Sequence, residues 1–140
     1  MSDAVTGGCL CASTRFRFTG EPLARSVCHC RSCQRASGAA SVAWTVVRAN
    51  AFAFIAGAPA TFRSSPAVRR TFCPTCGTPM TYHQHDDSPL TIDIATATLD
   101  DPDAFAPTCE IWLSHRIRWA SVDPALPHYP GTKAEADAKR

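Results

Sequence analysis

The sequence lacks any apolar run near the ~20 residues of a membrane span, so no membrane partner is expected. It opens MSDAVTGGC, without the basic stretch and apolar core of a secretory leader. A cytoplasmic location is therefore expected, and in that reducing setting disulfides are not. Lysine is nearly missing, because twelve of the fourteen basic residues are arginine. The formal charge is only +2, with no basic patch, which argues against a nucleic-acid partner. There is no internal repeat, and 140 residues suit one domain around one core.

Cysteine, by contrast, is abundant and grouped. Seven of the eight cysteines form three tight clusters: Cys9-x-Cys11, Cys28-His29-Cys30-x-x-Cys33 and Cys73-Pro74-Thr75-Cys76-Gly77. In an extended segment, residues two apart share a face, so each C-x-C offers two sulfurs to one ion. The C-x-x-C pairs suit tight turns, with Pro74 presetting φ and Gly77 free to take positive φ. A redox C-x-x-C would sit in a βαβ pattern, and none is visible. The usual iron–sulfur spacings are missing too. Zinc bound by thiolates is the favoured reading. Four thiolates close a structural site, whereas three leave a position open for water or substrate. Seven thiolate charges against the four of two Zn²⁺ would take the formal +2 to about −1.

The rest of the chain reads as short strands with turns between them, a mainly β domain. Strands are expected over Ser13–Phe18, Ser41–Val47, Phe52–Ile55, Ala60–Arg63, Val68–Phe72, Met80–His83, Leu90–Thr96 and Cys109–Leu113. Arg31–Ala36 reads as one or two helical turns, and Asp100–Ala104 as another. Residues 25–28 lead into the second cluster.

Taken in order, Gly7-Gly8-Cys9-Leu10-Cys11, Cys28-His29-Cys30-Arg31-Ser32-Cys33, Phe72-Cys73-Pro74-Thr75-Cys76-Gly77-Thr78 and Thr98-Leu99-Asp100-Asp101 carry a family signature. The chain resembles the glutathione-dependent formaldehyde-activating enzymes, also called the GFA or CENP-V-like family. The resemblance spans residues 7–131. It leaves 1–6 as a flexible start and 132–140 as a disordered tail. It implies a Mss4-like fold of antiparallel sheets bridged by zinc. It also implies that Cys9, Cys11, Cys73 and Cys76 share a structural zinc, while Cys28, Cys30 and Cys33 hold a second, catalytic one. The implied activity is that of a carbon–sulfur lyase on thiol adducts, like S-(hydroxymethyl)glutathione synthase. Its partners would be a thiol such as glutathione and an aldehyde or related electrophile, in a monomer or homodimer. The alternative is a non-catalytic, zinc-stabilised binding module of the same fold. Two positions depart from the family: Ala12 where Gly is common, and Glu110 where relatives often carry His.

A thiolate joining three others needs cations nearby, and Arg31 and Arg35 beside the cluster are the candidates to contact substrate. His29, between two ligands, should point away from the metal and pack behind it. Cys109 reads as a buried apolar cysteine, with a fourth-ligand role as the alternative. His83, His85 and Asp86 read as a polar loop rather than pocket lining. Trp44, Trp112 and Trp119 should be core or pocket wall. Glu110 reads as an exposed strand-edge carboxylate, with general base as the alternative.

Overall fold

Alternation builds the smaller of two sheets. A computed structural model describes residues 3–85 and 90–134 of the chain. In it, β1 (Val5–Gly8), β2 (Arg15–Phe18) and β5 (Phe52–Ala56) pair in the order β1-β2-β5. Phe16 and Phe18 point inward and are fully buried, while Arg17 between them faces out. Phe16 lies opposite Phe54 and Phe18 opposite Phe52, and the rings of Phe16, Phe52 and Phe54 pack at 5.1–6.3 Å between centroids.

The larger sheet has seven strands: β3 (Ala24–Cys28), β4 (Val42–Arg48), β6 (Ala60–Ser65), β7 (Val68–Phe72), β8 (Pro79–Gln84), β9 (Thr91–Ala95) and β10 (Cys109–Ile111). Their order is β10-β3-β4-β9-β8-β7-β6. Neighbours are antiparallel except β10, which joins β3 in parallel after the chain has crossed back from β9. The fold is mainly β, as the pattern of short strands indicates, and α1 (Arg31–Ser37) is the one α-helix of more than a single turn among the described residues. One core cluster joins the sheets: Phe16 and Phe18 from the small one, Val47, Met80 and Ile94 from the large one, and Cys9, Cys73 and Leu99 between them.

Two strands escape a reading by pattern. In β3 the buried positions are Ser26 and Cys28, so a polar residue occupies an inward site and hides the alternation. In β1 the sequence Val5-Thr6-Gly7-Gly8 has poor strand propensity, yet it draws Val5 and Thr6 of the supposed loose start into the sheet. The glycine at 7 is a packing requirement. A Cβ there would lie 2.5 Å from the Thr98 carbonyl oxygen and 2.6 Å from the Phe16 ring. The same contact explains the Thr98–Asp101 motif. Gly7 bridges Leu99, and Asp100 accepts hydrogen bonds from Thr6 (2.6 Å) and from both terminal nitrogens of Arg15 (3.0 and 2.5 Å).

Candidate metal centres and the cavity beside them

The first cysteine group is assembled by two turns. Cys9 leaves β1 into a turn in which the Ala12 N–H donates to the Cys9 carbonyl (3.0 Å). Ala12 there takes φ 65°, the left-handed region where glycine is easier, as the departure from the glycine common in the resembled family would suggest. Cys73 leaves β7 into the matching turn. The Gly77 N–H donates to the Cys73 carbonyl (2.8 Å), and Gly77 takes φ 81° as the C-x-x-C-Gly pattern requires. Together the turns place the sulfurs of Cys9, Cys11, Cys73 and Cys76 within 4.8 Å of one another. Cys9 and Cys11 are 3.6 Å apart and Cys11 and Cys73 3.8 Å. Four sulfurs about 2.3 Å from one ion would be roughly 3.8 Å apart, so the group fits a tetrahedral thiolate-bound metal.

Donors already face these sulfurs. The Thr14 N–H points at Cys9 (3.3 Å), and those of Thr75 and Cys76 point at Cys73 (both 3.4 Å). The Ser13 hydroxyl lies 3.4 Å from Cys73; it, with the two N–H groups, holds that thiol down at about 5. The Thr78 hydroxyl does the same for Cys76, at about 7.

The second group lies where β3 runs into α1. Cys28 ends the strand, and Cys30 caps the helix, its sulfur accepting from the Cys33 N–H at 3.3 Å. Cys33 then comes round on the first turn. The three sulfurs lie within 4.8 Å of one another, with Cys28 and Cys33 buried and Cys30 partly open. Among the described residues no fourth Cys, His, Asp or Glu joins them. Cys109 stays out because it pairs with Ser26 in β10, two residues (about 6.6 Å) down the strand from the level of Cys28. It is half-buried, and burial pushes its thiol up. The cluster concentrates its charge on one sulfur. Cys28 and Cys33 beside Cys30 hold its thiol down at about 2, and sharing with Cys30 pushes Cys28 up.

These three sulfurs open onto a cavity of about 640 Å³. Arg70, from β7, lines it. Its charge favours the thiolates of Cys30 and Cys33, and its guanidinium stacks 4.9 Å from the Tyr82 ring centroid. Nothing local marks Arg70 in the sequence. It reaches the site only through pairing of β7 with β8, where it stands opposite Tyr82. Arg31 also borders the cavity, with its guanidinium hydrogen-bonded to Gln34 Oε1. Arg35, exposed on α1 one turn after Arg31, does not border it.

The other candidates fall on both sides of expectation. Trp44 and Trp112 line the cavity, but Trp119 is 76% exposed and walls nothing. His83 belongs to β8 and bonds the Thr91 carbonyl (2.8 Å), and His85 is exposed just past that strand. Asp86 lies outside the described residues. Of the expected tail over 132–140, Thr132 and Ala134 border the cavity, and 135–140 lie outside the described residues.

Glu110 is not an exposed edge carboxylate. β10 would be the edge of the sheet, but residues 127–131 cover it. The Glu110 N–H donates to the Pro127 carbonyl, and the Tyr129 and Trp112 N–H groups bond Glu110 and Gly131 (all 2.9 Å). Glu110 is 2% exposed and its side chain bonds fully buried His29 at 2.7 Å, while its other oxygen accepts from the Asp123 N–H. His29 thus turns away from the sulfurs and ties Cys28-x-Cys30 to the covering segment. Removing one partner of a buried hydrogen-bonded pair leaves the other unsatisfied, which costs about 1–3 kcal/mol. Glu110→Ala is expected to lose that much in urea unfolding. Glu110→Gln, whose amide oxygen can still accept the Asp123 N–H while its NH2 donates to the His29 ring nitrogen, should lose clearly less; equal losses would show that these hydrogen bonds contribute nothing.

The sequence profile described as "Glutathione-dependent formaldehyde-activating enzyme" matches residues 4–115. The chain belongs to the GFA family. No curated protein matches it. Among solved structures, a crystal structure of a Rhodobacter sphaeroides protein is similar in fold, with a TM-score of 0.58 at 16% identity over 89% of this chain and 98% of that one. No helix among the described residues of this GFA protein is long and apolar enough to cross a membrane.

Proposed function

We propose that this chain is a zinc enzyme that makes or breaks the carbon–sulfur bond of a thiol–aldehyde adduct, with glutathione as the thiol. The observation that carries the reading is the count at the second site: three convergent sulfurs, one side of which opens to a cavity. A purely structural site has no use for an open place. Zinc held there supplies a Lewis acid that lowers the pKa of an incoming thiol.

The chain's own residues account for the rest. Arg70 offsets the negative charge that gathers when a fourth sulfur approaches three thiolates. Arg31, Gln84 and His115 bring cationic and hydrogen-bonding groups to the cavity wall, suited to the carboxylates and amides of a glutathione-like thiol. Cys28 and Cys33, both buried, shield the reacting sulfur from water on one side. In the forward direction the thiol gives up its proton, sulfur bonds to the carbonyl carbon, and the carbonyl pair moves to oxygen. That oxygen takes a proton from solvent, so the adduct is the sum of its two reactants.

The adduct also forms without a catalyst, so the test is exchange spectroscopy by NMR on glutathione with formaldehyde at equilibrium. Metal-loaded protein should speed exchange between free and adduct forms, and metal-stripped protein should not. Arg70→Ala should raise the glutathione KM about tenfold, the worth of one contact to a charged group. Two bound metals with no acceleration for any thiol and aldehyde would favour a binding module.

A further inference from the structure

A second cavity, of about 420 Å³, lies on the far side of Cys33. Its walls include Ala36, Val42, Phe62, Phe72 and Pro79, contributed by α1, β4, β6, β7 and β8. Cys33, Trp44 and Arg70 border both cavities. The three-sulfur site therefore sits on the partition between a chamber rich in polar side chains and a chiefly apolar one. A single-carbon electrophile would leave the apolar chamber unused. A cavity of about 150 Å³ with apolar walls is enough to hold benzene, so this one has room for a ring or a medium alkyl chain.

Resting on the reading of the site as a thiol-adduct enzyme, we propose that the apolar chamber receives an apolar substituent on the electrophile's carbon. The preferred substrates are then adducts of a polar thiol with an aldehyde larger than formaldehyde, carrying an alkyl or aryl group. The partition gives the reason. The sulfur stays at the cysteine cluster with the thiol's polar part toward Arg31 and His115, and the carbon substituent passes Cys33 toward Ala36 and Phe62. Burying each methylene is worth about a fourfold gain in binding, less what is lost in ordering the chain.

Unreactive thioethers test this without turnover. Calorimetry on the metal-loaded protein should find S-hexylglutathione bound at least tenfold more tightly than S-methylglutathione. Ala36 is exposed on α1, so Ala36→Phe should fold normally and plug the chamber. That variant should cut the hexyl preference at least fivefold. Phe62→Ala, which removes a wall from an exposed position of β6, should also reduce it. Equal affinity for the two thioethers, or a hexyl preference that neither substitution changes, overturns the proposal. If that happens while glutathione and formaldehyde still exchange faster with the protein, the enzyme reading stands and only the apolar chamber's role falls. If neither thioether binds and no exchange is accelerated, both fall together.

Discussion

Cys73→Ser is expected to leave an unfolded or insoluble protein. Cys73 is fully buried in the core cluster that joins the two sheets, and Cys9 packs in the same cluster. Around it, one turn follows β1 of the small sheet and the other follows β7 of the large one. The four-sulfur group is thus a staple between sheets. Metal binding at such a site is folding free energy, about 10–16 kcal/mol for structural zinc in small domains. Whole domains of this size are stable by only about 5–15 kcal/mol. Losing one of four thiolates therefore removes a large share of the net stability. Circular dichroism and the soluble fraction are the readouts, and a strong chelator should unfold the wild type in the same way. A soluble Cys73→Ser variant with native spectra and undiminished metal would show that these four residues do not share an ion.

Cys30→Ser should do the opposite: spare the fold and remove the second metal. Serine is a good helix N-cap, so it can accept the Cys33 N–H as Cys30 does and α1 stays capped. Its hydroxyl is rarely ionised near neutral pH, so two thiolates alone would hold the ion. Bound metal should fall from two to one per chain, and thiol-dependent acceleration should vanish. The thermal midpoint should fall far less than in Cys73→Ser, because the cluster at α1 joins a strand to its own following helix rather than one sheet to the other. Full activity with one metal lost would strip the second site of its catalytic role.

Much of this was legible in the sequence because metal ligation is local. Cysteines two or three apart converge wherever the rest of the chain goes, whereas the joining of Cys9 and Cys11 with Cys73 and Cys76 is long-range and was implied by the family resemblance and not by spacing. Gly77 shows the same locality, since its φ is set by the turn itself. The misses are long-range. Arg70 meets Cys33 through strand pairing across 37 positions, with no periodic mark to reveal it. Glu110 is buried because a distant segment covers its strand, and a three-residue strand shows nothing of its cover. Trp119 shows the converse: hydrophobicity alone places a tryptophan inside, yet its position after the last strand leaves it exposed. Arg35, one turn after Arg31 on α1, does not border the cavity.

The central claim is that the Cys28, Cys30 and Cys33 site keeps a place for the substrate's sulfur. Cobalt(II) can replace zinc in thiolate sites and reports its ligands through visible absorption. The most direct measurement is the spectrum of the doubly cobalt-loaded protein during titration with glutathione, with Cys30→Ser as the reference. The account predicts a saturable change in the ligand-field bands of the wild type, amounting to one added sulfur per chain, and none in Cys30→Ser. Identical, unresponsive spectra from the two proteins would contradict it.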